Sequence, residues 1–329
     1  GCLTTRVILG SRVVPNPKWF VGSGKLAEIS SFVRKCSANV VIFNHNLSAT
    51  QERNLEVKLC CKVVDRTSLI LDIFSQRART HEGKLQVELA QLQHLSTKLI
   101  RGWTHLERQQ GGIGTRGPGE TQLEFDKRLI RNRVAKIKNR LVKVHKQREQ
   151  NRQRRIRSGL PLVSLVGYTN VGKSQLFNQL TRADVYVKNQ LFATLDPTMR
   201  RGYLANYGSV IFADTVGFLS NLPHRLIDAF RATLEEVCQA SLLLHVADLT
   251  AKDVNLSVRR VNQILTEIGA QNIPTLMVYN KTDIVEALNP RVDRDSSGKP
   301  VSVYLSGLSG AGVEGLRSAV ASRLRLNQV

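Results

Sequence analysis

Eight residues, Gly167, Tyr168, Thr169, Asn170, Val171, Gly172, Lys173 and Ser174, limit what this chain can fold into more than any other stretch. They fit the pattern G-x-x-x-x-G-K-[ST], in which glycines let backbone N–H groups curl around phosphates. The lysine reaches the outer phosphates and the hydroxyl faces Mg²⁺. Such a pattern needs a buried strand before it and a helix after it. The apolar run from Pro161 to Val166 predicts the strand, and Gln175 to Leu180 predicts the start of the helix.

Downstream, apolar runs at Leu162 to Val166, Val210 to Asp214, Leu242 to Asp248, Thr275 to Asn280 and Val301 to Ser306 alternate with amphipathic segments. That alternation predicts an α/β fold, a doubly wound and mainly parallel sheet carrying the phosphate loop (P-loop), with ligand loops at the carboxyl ends of its strands. Asp214, Thr215, Val216 and Gly217 end one strand, about 40 residues after the phosphate loop. The Asp can hold Mg²⁺ through water, and the glycine N–H can sense the outermost phosphate.

Asn280, Lys281, Thr282 and Asp283 end another strand. A carboxylate there can accept hydrogen bonds from both N1–H and the N2 amino group of guanine, an arrangement adenine does not offer. The expected ligands are therefore GTP and GDP. Asn280 and Lys281 would buttress the base and the phosphate loop, and Ser306, Gly307 and Leu308 would offer backbone N–H groups to the guanine carbonyl. Between these motifs, Phe192, Ala193, Thr194, Leu195 and Asp196 form a candidate nucleotide-contacting loop. Thr194 is the candidate to complete the Mg²⁺ shell, with Thr198 as the alternative. Ser174, Thr194 and Asp214 are thus the candidate metal residues, and Lys173, Thr194 and Gly217 the candidate catalytic ones. Phe218 follows Gly217 where many GTPases of the Ras type carry a water-orienting glutamine. A slow intrinsic reaction, activated by a partner, is expected.

Upstream of residue 159 the pattern differs. Leu85, Leu89, Leu92, Leu99, Trp103 and Leu106 follow a heptad seam, and Leu123, Ile130, Val134, Ile137, Leu141 and Val144 follow a second. Two helices packed as a long antiparallel hairpin are predicted over 83–158. Residues 111–120 hold five glycines and a proline and are expected to form its tip. The spread of charge gives this hairpin its expected partner. Of a formal net charge of +22, Asp126 to Arg157 carries +12, with fourteen Lys/Arg against two Asp/Glu. Cations this dense repel one another unless a polyanion neutralises them, so RNA contact is expected. The candidates are Arg116 at the tip, then Lys127, Arg128, Arg131, Arg133, Lys136, Lys138 and Arg140. The segment 158–161, Ser-Gly-Leu-Pro, reads as the linker to the nucleotide-binding domain.

Residues 1–82 alternate apolar runs (Arg6 to Gly10, Asn39 to Phe43, Cys61 to Val64) with amphipathic stretches (Leu26 to Val33, Gln51 to Leu59), which predicts a small α/β domain. Phe20 to Lys25 imitates a second nucleotide loop, but Trp19 stands where its first glycine is required, so a turn before a helix is predicted. Five cysteines without C-x-x-C spacing suggest neither a disulfide framework nor a zinc site, and a reducing compartment is expected. No apolar run reaches the roughly 18 residues of a membrane span. A cytoplasmic monomer is expected, and Gly1 in place of Met suggests a processed or partial chain.

Taken together, the stretch from Gly111 to Gln122, Leu191 to Thr198, Asp214 to Phe218 and Asn280 to Asp283 resemble, in that order, the HflX family of translational GTPases. Trp19 to Lys25, Asp65 to Thr67 and Ser75 to Lys84 extend the resemblance over essentially the whole chain. It implies binding to the large ribosomal subunit and its ribosomal RNA, with the hairpin reaching toward the peptidyl-transferase region. It also implies nucleotide-dependent splitting of stalled or idle ribosomes. The chain departs from the family pattern at Gln175 (usually Thr), at Gly307 (usually Ala) and at Lys127 (more often Arg); a small C-terminal domain present in many members would lie beyond Val329. A second reading is an RNA-binding assembly or hibernation factor whose nucleotide site is mainly regulatory. His245 is expected to be a satisfied core residue, and His224 a residue at a helix start.

Overall fold

The computed structural model describes residues 3–102, 118–157, 159–181, 198–218, 236–285 and 288–326. The chain divides into two compact units, one of residues 1–76 and 87–140 and the other of residues 77–86 and 141–329.

In the first unit, β1 (Val40–Phe43) and β2 (Lys62–Asp65) pair in parallel, with Val40 opposite Lys62. They are flanked by α1 (Ser23–Lys35), α2 (Ala49–Leu59) and α3 (Arg66–Arg77). Leu26, Ile29, Phe43, Leu55 and Val63 close the core. Each helix start has a local cause. Gly22 caps α1, so Phe20 to Lys25 is the expected turn into a helix. Ser48 and Gln51 form a reciprocal capping box at α2. Asp65 ends β2 and accepts the Ser68 N–H at 2.7 Å, which starts α3. Helix α3 was not anticipated from the sequence. The apolar run Arg6 to Gly10 does not become a strand: Val7 and Leu9 are exposed, and only Ile8 packs on the core.

Two longer helices follow, α4 (His81–Gly102) and α5 (Pro118–Arg157). They run antiparallel, because Arg133 of α5 pairs with Glu88 of α4 at 2.6 Å while the later Arg148 pairs with the earlier Glu82 at 2.7 Å. The expected second seam is visible in the burial of α5: Ile137 is fully buried and Ile130, Val134, Leu141 and Val144 are partly so, among exposed neighbours. One boundary differs. Pro118, Gly119 and Glu120 were expected in the glycine-rich tip but open the helix, since proline fits the first helical position, where its missing N–H would have no partner. Residues 103–117, and with them Arg116, lie outside the described residues.

The second unit is built on a seven-stranded sheet in the order β4-β5-β3-β6-β7-β9-β8. Its strands are β3 (Leu162–Gly167), β4 (Thr198–Leu204), β5 (Gly208–Asp214), β6 (Leu242–Asp248), β7 (Thr275–Asn280), β8 (Arg291–Arg294) and β9 (Pro300–Tyr304). The five central strands are parallel, and β4 and β8 run antiparallel at the edges. On one face Val163, Leu165, Leu244, Val278 and Val303 pack against α6 (Lys173–Thr181) and α8 (Val313–Leu326) through Phe177, Leu180, Leu316 and Val320. Helix α7 (Val254–Glu267) packs against β3 and β6, buries Val261 and Leu265, and starts where Asp253 accepts the Leu256 N–H. The mainly parallel α/β fold expected from the sequence is what forms, with both antiparallel edge strands added. Because β3 has β5 on one side and β6 on the other, the chain changes direction across the sheet at β3, which opens a crevice at its carboxyl end.

Candidate functional site

That crevice holds the phosphate-loop residues. Gly167 ends β3 with φ +150°, and a Cβ there would run into the Val246 carbonyl of β6. Gly172 has φ +89°, and a Cβ there would strike the Asn280 amide. Both glycines are therefore required by left-handed backbone and by close approach together. Between them Tyr168, Thr169, Asn170 (φ +64°) and Val171 turn the chain into α6, whose first residues are Lys173 and Ser174.

The Lys173 side chain is buried and donates to the carbonyls of Gly167 at 3.2 Å and Tyr168 at 2.7 Å. Burial pushes its ammonium down to about 8, partly opposed by the Asp214 carboxylate. Ser174 Oγ donates to Asp214 Oδ2 at 2.6 Å, so the two candidate metal residues of the described chain meet across 40 residues of sequence. A hydroxyl and a carboxylate oxygen facing one another at the amino end of a helix suit a hard divalent cation such as Mg²⁺.

The segment after β5 is fastened to the phosphate loop by its backbone. Thr169 N–H donates to the Phe218 carbonyl at 2.9 Å, and Phe218 N–H donates to the Gly167 carbonyl at 3.0 Å. Thr215 Oγ1 donates to the Leu165 carbonyl, and Val216 is buried. Gly217 lies so close that a Cβ would come within 3.0 Å of Thr169 and of Lys173 Nζ. The Phe218 ring is 2% exposed. Its side chain serves packing, and no side chain at 218 reaches toward an attacking water.

Asn280 ties the base-side loops together. Buried at the end of β7, it donates from Nδ2 to the Val171 carbonyl and accepts the Gly307 N–H at Oδ1, both at 2.8 Å. Asn280 thus ties the phosphate loop to the Gly307 loop. Lys281, with φ +73°, instead donates to Asp248 Oδ2 at 2.6 Å. Burial raises the Asp248 carboxyl, but hydrogen bonds from Lys281 and Thr250 outweigh it and hold the group below its ordinary value. Asp248 was missed in the sequence, although its place at the carboxyl end of β6, beside β7, was a usable signal. Thr282 is buried and donates its N–H to Leu305, while Asp283 stays exposed beside it. Ser306 is buried and accepts the Ser309 N–H, and Leu308 is exposed. A Cβ on Gly307 would lie 3.3 Å from Asn280 Oδ1, close enough that an alanine there asks for only a small shift.

Phe192, Ala193, Thr194, Leu195 and Asp196 lie outside the described residues, as does His224. Thr198 opens β4 directly across from Asp214. His245 is buried as expected but is not satisfied: its Nδ1 has no hydrogen-bond partner among the described residues. Burial, and then the charge of Lys173, push its imidazole down to about 4.

The basic candidates stand on α5. Lys127 is half-buried; Arg128, Arg131, Arg133, Lys136, Lys138 and Arg140 are exposed. Arg133 is matched by Glu88 and Arg128 lies 5.4 Å from the Phe125 ring centroid. Among the described residues, no group of three His, Cys, Asp or Glu could hold a metal ion, and no helix is long and apolar enough to cross a membrane.

Three family models match in succession: GTP-binding GTPase N-terminal over residues 1–75, GTP-binding GTPase Middle Region over 77–155, and 50S ribosome-binding GTPase over 162–281. The GTPase HflX of Escherichia coli (strain K12) is 60% identical over 325 residues, covering 98% of this chain and 76% of that protein. The GTPase HflX of Caldanaerobacter subterraneus subsp. tengcongensis is 48% identical over 309 residues, covering 94% and 71%. Among solved structures, a GTP-binding protein from the hyperthermophilic archaeon Sulfolobus solfataricus, in complex with GDP, aligns with a TM-score of 0.51 at 23% identity. It covers 96% of this chain and 89% of that one, and shares the fold.

Proposed function

Because this chain belongs to the HflX family of GTPases, we propose that its GTP cycle controls association with the large ribosomal subunit, and that its GTP-bound form splits or rescues stalled or idle ribosomes. The observation that carries this reading is the pairing of a guanine-type nucleotide site with a helix, α5, that exposes a run of cations with few acids beside it. Ribosomal RNA is the polyanion such a helix would meet. We place the protein in the cytoplasm as a monomer.

In this proposal Gly167 to Ser174 cradle the phosphates with backbone N–H groups, and Lys173 leaves the Gly167 and Tyr168 carbonyls for the outer phosphates. Asp283 selects guanine, while Asn280 keeps the phosphate loop and the Gly307 loop in register. Ser174 would hold Mg²⁺ directly and Asp214 through water, with Thr194 or Thr198 completing the set. When bound, Mg²⁺ offsets negative charge that builds up on the phosphates during hydrolysis. Gly217 N–H senses the outermost phosphate, and because Gly217 adjoins Phe218, any shift there pulls on the two Phe218 hydrogen bonds to the loop. With the Phe218 side chain buried, water positioning falls to backbone or to the ribosome, so intrinsic turnover is slow.

Co-sedimentation with purified large ribosomal subunits tests this. Binding is expected to be at least about five-fold tighter with a non-hydrolysable GTP analogue than with GDP, as a nucleotide-state coupling of 1–3 kcal/mol requires. Equal binding in both states would favour the assembly-factor reading.

A further inference from the structure

Helix α5 presents a second stripe besides its seam. Phe125, Leu129, Asn132, Lys136 and Arg140 follow at spacings of four, three, four and four, so they share one face, and all are exposed. Leu129, Lys136 and Arg140 each precede a seam residue by one position, which turns them about 100° from the buried side. Phe125 and Leu129 are 48% and 50% exposed, an unusual place for two large apolar side chains one turn apart. Arg128 leans on the Phe125 ring, with its guanidinium 5.4 Å from the centroid. Unlike Arg133, which Glu88 neutralises, Lys136 and Arg140 have no acid within ion-pair distance among the described residues.

An aromatic ring with a guanidinium beside it, followed along the same face by two uncompensated cations, has the chemistry of a single-strand track. The ring offers a π-face that tolerates any base, and the cations follow the phosphates. Lys136 and Arg140 are four residues apart, so at 1.5 Å per residue they are spaced about 6 Å along the helix, close to the distance between successive phosphates of an extended strand. A fully paired helix hides its bases in the stack and gains nothing from such a ring. An apolar protein partner would have no use for the cations.

We propose that this face of α5 binds an unpaired stretch of RNA, with Phe125 and Arg128 stacking on one nucleobase and Lys136 and Arg140 neutralising two phosphates downstream of it. The inference rests on the RNA reading above and narrows it to unpaired RNA held at a named ring.

The test uses the full chain and two fluorescent RNAs of equal phosphate number, one an unstructured 12-mer and the other a blunt duplex. Phe125→Ala should weaken the 12-mer by roughly ten-fold and leave the duplex unchanged. Phe125→Trp should bind the 12-mer at least as well as the parent, which separates stacking from misfolding. Lys136→Gln with Arg140→Gln should lower the slope of log affinity against log salt for the 12-mer by about 1.4, whereas Phe125→Ala leaves that slope in place. Equal losses on both RNAs, or no loss from Phe125→Ala, would overturn the stacking site while leaving the basic helix as an RNA contact. If the parent chain binds neither RNA, both the track and the RNA reading beneath it fall.

Discussion

Lys173 and Lys136 carry the same ammonium group in opposite surroundings. Lys173 is 6% exposed, held by two backbone carbonyls and close enough to Asp214 to be supported by its charge. Lys136 stands exposed on α5 with no acid within ion-pair distance among the described residues. At the nucleotide site Lys173 is held by two backbone carbonyls and Lys281 by Asp248, so a small ligand meets a preorganised site. On α5 most of the described basic side chains are exposed. The first kind of site is specified by backbone shape and single residues, the second by density and face.

If that contrast is right, single substitutions should act strongly in one region and weakly in the other. The largest effect is expected from Lys173→Ala, which should lower GTP affinity by about a hundred-fold or more, measured by titration with a fluorescent GTP analogue. Lys136→Ala should leave that affinity within about two-fold, and a comparable loss from both would break the comparison. Asp283→Asn comes next. An amide cannot accept from both guanine N–H groups but can donate to the carbonyl that xanthine carries in place of the amino group, so preference should move from GTP toward xanthosine triphosphate in a competition assay.

Asn280→Ala should cost about 2 kcal/mol of stability in denaturant unfolding, because it strands the Val171 carbonyl and the Gly307 N–H together. His245 sharpens the comparison through pH. Its folded value of about 4 lies below its ordinary 6.5, so the unfolded chain binds the proton first and stability drains away as pH falls from 6.5 toward 4. His245→Leu removes that loss. Between pH 7 and pH 5 the variant should gain about 2 kcal/mol on the parent in unfolding free energy. The smallest effect belongs to Lys136→Gln with Arg140→Gln, which should shift stability by less than about 0.5 kcal/mol.

The same contrast governs how much was legible in the sequence. The central strands β3, β5, β6, β7 and β9 announce themselves because strands buried on both faces read as apolar runs. Edge strands do not: β4 carries Met199, Arg200 and Arg201 in a row, and β8 is the four residues Arg291 to Arg294. Helix α3 was hidden because its start depends on Asp65, which ends β2 and caps the helix at once. At the site, motif spacing singled out Gly167, Lys173, Ser174, Asp214 and Asn280, which the fold brings together at the carboxyl ends of β3, β5 and β7. It could not foresee that Lys281 would be taken up by Asp248, a tertiary pairing across two strands. The buried state of Phe218 and the His245 Nδ1 left without a partner among the described residues depend likewise on packing that no local pattern encodes.

In the function proposed above, the nucleotide site answers to what α5 and residues 111–119 touch. GTP turnover by the full chain, with and without purified large ribosomal subunits, tests it most directly when repeated with residues 111–119 shortened. Slow turnover alone is expected, with stimulation of at least about ten-fold by the subunits and loss of that stimulation in the shortened variant at unchanged basal rate. Turnover that is fast without subunits, or stimulation that survives the shortened loop intact, would contradict it.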